Sequence, residues 1–242
     1  MSRKSFDAVV AQQTAGAAGI GFALLIVAAN LVLVPAGMPS PGSSTEEAIE
    51  FFLSADPPTI AVSALLPAVW ALATLFAAGA LAAVLATGGR TAWAYAGFAG
   101  VLLQNATFTV VVAIRLAMST AGDPASVGTL WALHEAVFGF NGTFLALAMF
   151  GLGTAGFTAG LLTRWQLVLG TVAACLQFAG ATLTPLIVTG HDHFALFGLA
   201  GWLLWAVWLI GYGITLIRSA DHIHRSTTTA TTARHGAGAQ PD

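Results

Sequence analysis

Long apolar stretches separated by short polar breaks run along most of the chain, at about 16–37, 59–87, 91–119, 126–161, 166–188 and 194–217. Each exceeds the ~20 residues that a helix needs to cross ~30 Å of hydrocarbon, and a helix satisfies its own backbone groups where no water can. No alternation of apolar and polar residues in segments of about 10 residues is present, which excludes a transmembrane β-barrel. The pattern predicts an all-α membrane protein, a six-transmembrane-helix bundle over 16–218. Small residues at Gly151, Gly153 and Gly156 predict a tight crossing or bend in the fourth helix.

The breaks carry their own signals. After Pro35, Gly37, Pro39, Pro41 and Gly42 the chain changes character at Ser44, which stands three residues before Glu47 as in a capping box. Glu46 and Glu47 then fall in a first helical turn, where the helix dipole favours negative charge. A short amphipathic helix at about 44–55 is predicted in this connection. Its Ile49, Phe51, Phe52 and Leu53 would lie against the membrane or the bundle mouth, and Asp56-Pro57-Pro58 would stop it. At the other end, the Ser/Thr-rich sequence after Arg218 lacks apolar surface to bury, so 219–242 reads as a disordered tail.

Composition agrees with the pattern, because 57% hydrophobic and 7% charged residues lie far from the roughly 25% charged of a soluble domain. Charge placement adds direction. Arg3, Lys4, Arg90, Arg164, Arg218, Arg225 and Arg234 all fall on one side of a six-span chain, whereas Glu46, Glu47, Glu50, Asp56, Asp123 and Asp192 fall on the other. The positive-inside rule therefore makes 1–15 a cytoplasmic segment, puts both termini in the cytoplasm and sets the short helix in the first outer loop. An apolar run of some 22 residues near the N-terminus is too long for a cleaved signal, whose apolar region runs to about 7–15. The lone Cys175 forms no intramolecular disulfide, and no basic stripe with interleaved aromatics points to nucleic acid. Neither a cofactor motif nor a phosphate-binding loop is present.

Only Arg115 and Glu135 of the charged residues lie inside apolar stretches, where an ion costs several kcal/mol and is kept for a partner or a task. Counting from Arg90 and Arg164 at ~1.5 Å per residue places Arg115 at about 37 Å, Asn141 at about 34 Å and Glu135 at about 43 Å, near the outer interface. The two charges sit on consecutive antiparallel helices and are expected to form an ion pair. Gln104 and Gln177, at about 21 and 20 Å, lie within the hydrocarbon. With Asn141 and Trp131 they are the candidate ligand-contacting residues.

His134 shares the level of Arg115 and Glu135, as do His191, Asp192 and His193 in the last outer connection. Imidazoles and carboxylates at one level suit zinc or copper, which makes His134, His191 and His193 weak metal candidates. His134-Glu135 has no second histidine four residues on, so the zinc-protease helix motif is absent and no metal is expected. The triplets Asn105-Ala-Thr and Asn141-Gly-Thr match a glycosylation acceptor, but inside spans they read as accidental.

The first span, the acidic Ser44–Leu53 segment before a long second span, and Leu161-Leu-Thr-Arg-Trp-Gln-Leu-Val-Leu-Gly at the start of the fifth resemble a group of uncharacterised bacterial multi-pass integral membrane proteins, a domain of unknown function. The resemblance covers about 16–218. It implies a bacterial inner or plasma membrane location and brings no catalytic residues.

Two functional expectations follow. In one, the chain binds or moves a small hydrophobic ligand, or supports a partner, with membrane lipids around it and no nucleic acid. In the alternative, it is an intramembrane enzyme acting on a lipid or isoprenoid substrate at an outer-facing pocket. Glu135 would then be the general acid, with His134 and Arg115 beside it and aromatic faces stabilising positive charge.

Overall fold

The computed structural model describes residues 3–54, 59–88 and 91–237, with side chains over 7–54, 59–88 and 91–221, and no strand occurs among them. Asp56, Pro57, Pro58 and Arg90 lie outside the described residues, as do the side chains of Arg3, Lys4, His222, His224, Arg225 and Arg234. In chain order the helices are α1 (Arg3–Leu33), α2 (Thr45–Phe52), α3 (Thr59–Ser63), α4 (Leu66–Ala86), α5 (Thr91–Ser119), α6 (Pro124–Thr158), α7 (Arg164–Thr182), α8 (Thr184–Ile187) and α9 (Ala195–Ala237). Six helical segments are long and apolar enough to cross a membrane: Asp7–Leu33, Thr59–Ala86, Thr91–Ser119, Pro124–Thr158, Arg164–Ile187 and Asp192–Asp221. The layout is that of a multi-pass membrane protein.

The long helices close into a ring. α1 packs on α4, α4 on α5, α5 on α6, α6 on α7, α7 on α9, and α9 returns to α1. Aromatic side chains fill the middle: Phe76 of α4 and Trp208 of α9 both meet Tyr212 edge-on, at 5.5 and 5.3 Å between ring centroids. The Tyr212 hydroxyl donates to the Leu152 carbonyl of α6 at 3.4 Å, so its one polar atom is satisfied inside the core. Gln166 ties α7 to α9 by donating to the Gly211 carbonyl and the Thr215 hydroxyl, while its oxygen accepts from the Thr163 backbone and hydroxyl.

Glycines set the closest approach. A Cβ at Gly97 of α5 would collide with the Leu152 nitrogen of α6, and one at Gly151 would stand 2.5 Å from the Gly97 nitrogen. The tight crossing expected in the fourth span is therefore at Gly151. Gly156 lies under the Tyr212 hydroxyl and Leu162, whereas at Gly153 a Cβ would meet only Trp208, at 3.8 Å.

α2 has both halves of its capping box, Glu47 N–H to Ser44 Oγ and Ser44 N–H to Glu47 Oε2. Its Ala48, Phe51 and Phe52 are buried against Ile114 and Met118 of α5 and Val127 and Trp131 of α6, while Leu53 stays exposed. Two expected spans are interrupted. The second divides into α3 and α4 just before Pro67, and the fifth into α7 and α8 at Leu183, just before Thr184-Pro185. Each proline stands at the start of the following helix, where its missing N–H costs nothing. The backbone of the final helix continues to Ala237, through a segment with no glycine or proline between Gly213 and Gly236. Extending a formed helix avoids the cost of nucleating one.

Candidate functional site

Arg115 lies one turn before the end of α5, and His134 and Glu135 lie three turns into α6, so the antiparallel packing of these helices brings all three to the α2 end of the ring. Arg115 and Glu135 do not form the expected direct ion pair. Arg115 Nε donates to His134 Nε2 at 2.9 Å, and His134 Nδ1 meets Glu135 Oε1 at 3.3 Å. An arginine N–H can only donate, so Nε2 is the acceptor and the ring proton sits on Nδ1, facing the carboxylate. The reason is rotational: successive residues of a helix point about 100° apart, and here His134 turns to α5 while Glu135 turns to the α1–α2 connection.

That connection takes up the rest of the carboxylate. The Gly42 backbone N–H donates to Glu135 Oε2 at 2.6 Å, and Trp131 Nε1 donates to the neighbouring Ser43 carbonyl at 3.3 Å. Gly42 has φ +87°, and a Cβ there would stand 2.9 Å from the Asp192 Cβ. Only glycine fits between α6 and the His191–His193 turn in this conformation. Two side chains of α6 thus pin the loop across the bundle end. A hydrogen bond to a charged group contributes about 1.5–3 kcal/mol, and of these two only the Gly42–Glu135 bond is of that kind.

The histidine is enclosed by rings from its own helix. Trp131, three residues back, stacks at 4.9 Å and 12°, and Phe138, four residues on, at 5.8 Å and 10°. The Arg115 guanidinium carbon lies 5.7 Å from the Phe138 centroid and 6.0 Å from that of Phe108, within cation–π range. These aromatic faces serve Arg115 itself. Both oxygens of Glu135 have partners within the protein, the Gly42 N–H and His134 Nδ1.

The remaining predicted residues are dispersed. Gln177 donates to the Gly198 carbonyl at 3.0 Å, joining α7 to α9. Gly142 lets its chain approach, since a Cβ there would lie 2.8 Å from the Gln177 carbonyl oxygen. Asn141 is buried, and its Oδ1 has no partner among the described residues. Gln104 is partly exposed on α5, away from this network. His191 and His193 are exposed, 6.3 Å apart between ring centroids. Among the described residues no three His, Cys, Asp or Glu side chains gather as a metal site. Both nitrogens of His134 are already engaged by protein groups.

One surface groove escaped the sequence reading. Between α4 and α5 an outward-facing surface groove of about 530 Å³ is lined by Trp70, Ala71, Thr74, Leu75, Leu102, Asn105, Ala106 and Thr109. Asn105 is the midpoint of α5, 14 residues or about 21 Å from either end. Its Nδ2 donates to the Trp70 carbonyl and the Thr74 hydroxyl, both at 3.2 Å, but its Oδ1 and the Trp70 indole N–H have no partner among the described residues. The signal was available, as an asparagine at the centre of a span one turn before Thr109. It was masked by the glycosylation triplet. A second groove, about 660 Å³, lies at the opposite end beside Arg164, Trp165 and Leu204. Neither groove contains Arg115, His134 or Glu135. No protein-family profile matches this chain, and no curated protein or solved structure is significantly similar to it.

Proposed function

We propose that the chain is a non-catalytic multi-pass protein of the cell membrane that holds a small apolar ligand in the groove between α4 and α5. In this reading the Arg115–His134–Glu135 network positions the α1–α2 loop and performs no chemistry. Both termini face the cytoplasm and α2 lies outside, consistent with the charge asymmetry of the connections and with the general likeness to bacterial multi-pass proteins.

The groove carries the proposal. Its volume of about 530 Å³ falls within the roughly 300–1,000 Å³ of small-molecule sites, and Ala71, Leu75, Leu102 and Ala106 give it a largely apolar lining. The enzyme reading needs a protonated, accessible Glu135, whereas the Gly42 N–H and His134 occupy its oxygens.

Native mass spectrometry of the protein extracted from membranes tests the reading. The wild type is expected to carry a copurified apolar species that Ala106→Phe, which fills the groove from an exposed position, loses without a change in thermal stability. Retention of the same species by Ala106→Phe would sink the groove as its site.

A further inference from the structure

The second groove, about 660 Å³, follows the seam of α7 and α9, and helix geometry leads it to two cations. On α7 it is lined by Arg164, Val168 and Val172, four residues apart and therefore on one face. On α9 it is lined by Leu204, and Gly211 and Arg218 follow at seven-residue steps, two turns each, on the same side of that helix. Gln166 holds the two helices in register by donating to the Gly211 carbonyl and the Thr215 hydroxyl. Trp165 reaches across to the same point, its Cη2 3.3 Å from where a Cβ on Gly211 would stand. Arg164 lies two residues before Gln166, about 3 Å along the axis, and Arg218 three residues after Thr215, about 4.5 Å. On antiparallel helices both steps lead to the same end, so the arginines flank the mouth of the groove at one level.

Both arginines are exposed, and neither has a carboxylate partner among the described residues, where His134–Glu135 is the only such contact. Asp221, the nearest acid along α9, accepts from Gln13 of α1 at 2.7 Å. After it the sequence adds Arg225 and Arg234 and no acid before Asp242. An apolar channel that ends between two uncompensated cations matches a ligand with an apolar chain and an anionic head.

We propose that this seam binds an anionic phospholipid, with its phosphate between Arg164 and Arg218 and one acyl chain along Val168, Val172 and Leu204. Lipid tails are as apolar as the groove, so the groove fixes where the chain lies and gives no preference among headgroups. Charge gives the preference: a basic residue near the membrane surface favours an anionic lipid about fivefold, and two do so about thirtyfold. The site is separate from the groove between α4 and α5 and stands whether or not that groove is filled. In the orientation proposed above it faces the cytoplasmic leaflet. A second copy of the chain is disfavoured as the occupant, because a two-fold axis along the seam would set the arginines of each copy against those of the other.

The test titrates full-length protein in detergent micelles with phosphatidylglycerol and with phosphatidylcholine of identical acyl chains, and counts bound lipids by native mass spectrometry. Wild type is expected to hold its first phosphatidylglycerol about thirtyfold more tightly than phosphatidylcholine. Arg164→Gln and Arg218→Gln should each lower that ratio about fivefold, and the double substitution should bring it to about one. Val168→Phe, which fills the groove from an exposed position, should remove this first site with both arginines in place. On wild type alone, high salt should erase the preference, which keeps the test open should a variant fail to fold. A wild-type ratio near one, or a ratio that survives the double substitution or Val168→Phe, overturns the proposal. Glycerol 3-phosphate binding as tightly as the lipid, with the same dependence on the arginines, assigns them to a soluble anion and overturns it too. A dimer that Val168→Phe dissolves gives the seam to a second copy, with the same result. None of these outcomes bears on Ala106→Phe, which acts at the other groove.

Discussion

His134 separates two charges that the chain places on neighbouring helices, and the separation decides how each residue behaves on mutation. Removing Glu135 strips the Gly42 N–H of its acceptor and leaves the Arg115 cation without its anionic counterpart. Glu135→Ala is therefore expected to lower unfolding free energy in detergent by about 1–3 kcal/mol, the cost of leaving a buried hydrogen-bonding group without its partner. Glu135→Gln keeps an acceptor for Gly42 and should cost less. Limited proteolysis of the 36–44 loop reads the same loss locally, and equal protection in all three proteins would refute the pinning role. Asp123, outside the spans, offers a pH readout. Bonds from the Ser126 hydroxyl and backbone N–H hold its carboxyl below the usual carboxylate range. A lowered folded-state pKa contributes stability that is present above the ordinary Asp value and lost only as pH falls through the lowered one. The Asp123 carboxyl resonance should thus titrate below about 3.9, and Ser126→Ala should move it upward. At this scale the sequence revealed Arg115 and Glu135, because charge in an apolar run is conspicuous. It could not reveal that His134 intervenes or that Gly42, 93 residues away, completes the site, since side-chain rotation and long-range loop placement leave no periodic trace.

Helices meet here through backbone contact, so the effect of a methyl group depends on which glycine receives it. At Gly97 it would enter the backbone of α6 at Leu152, and at Gly151 the backbone of α5 at Gly97. Gly97→Ala and Gly151→Ala should each destabilise by 1–3 kcal/mol, the usual range for overpacking. Gly153→Ala meets only Trp208 at van der Waals distance and should gain up to about 1 kcal/mol of helix propensity. Denaturant unfolding of the three variants measures the contrast, and equal effects would contradict the crossing at Gly97 and Gly151. The spans themselves were legible from apolar length alone. Their interruptions were foreshadowed by Pro67 and Pro185, but a hydropathy pattern averages over single residues and reads across such breaks. The same averaging hides which of three nearby glycines touches a neighbour.

For the molecule as a whole, six crossings arranged as a ring place the α2 connection and the α5–α6 connection at one end and the start of α5 at the other. Which end faces out rests on charge asymmetry, a property of the chain relative to a membrane rather than of its internal packing. That orientation can be tested with single cysteines in a Cys175→Ser background, since Cys175 is the only native thiol and is exposed. Glu50 lies on the exposed side of α2, Gly122 has open space around it in the α5–α6 connection, and Thr91 is exposed at the opposite end of α5. In intact cells a membrane-impermeant maleimide should modify Glu50→Cys and Gly122→Cys, and should reach Thr91→Cys only after permeabilisation. The reverse pattern would invert the bundle, putting the Arg115–Glu135 end in the cytoplasm. Asn105 would still lie at the middle of its span, because the midpoint of α5 is the same counted from either face.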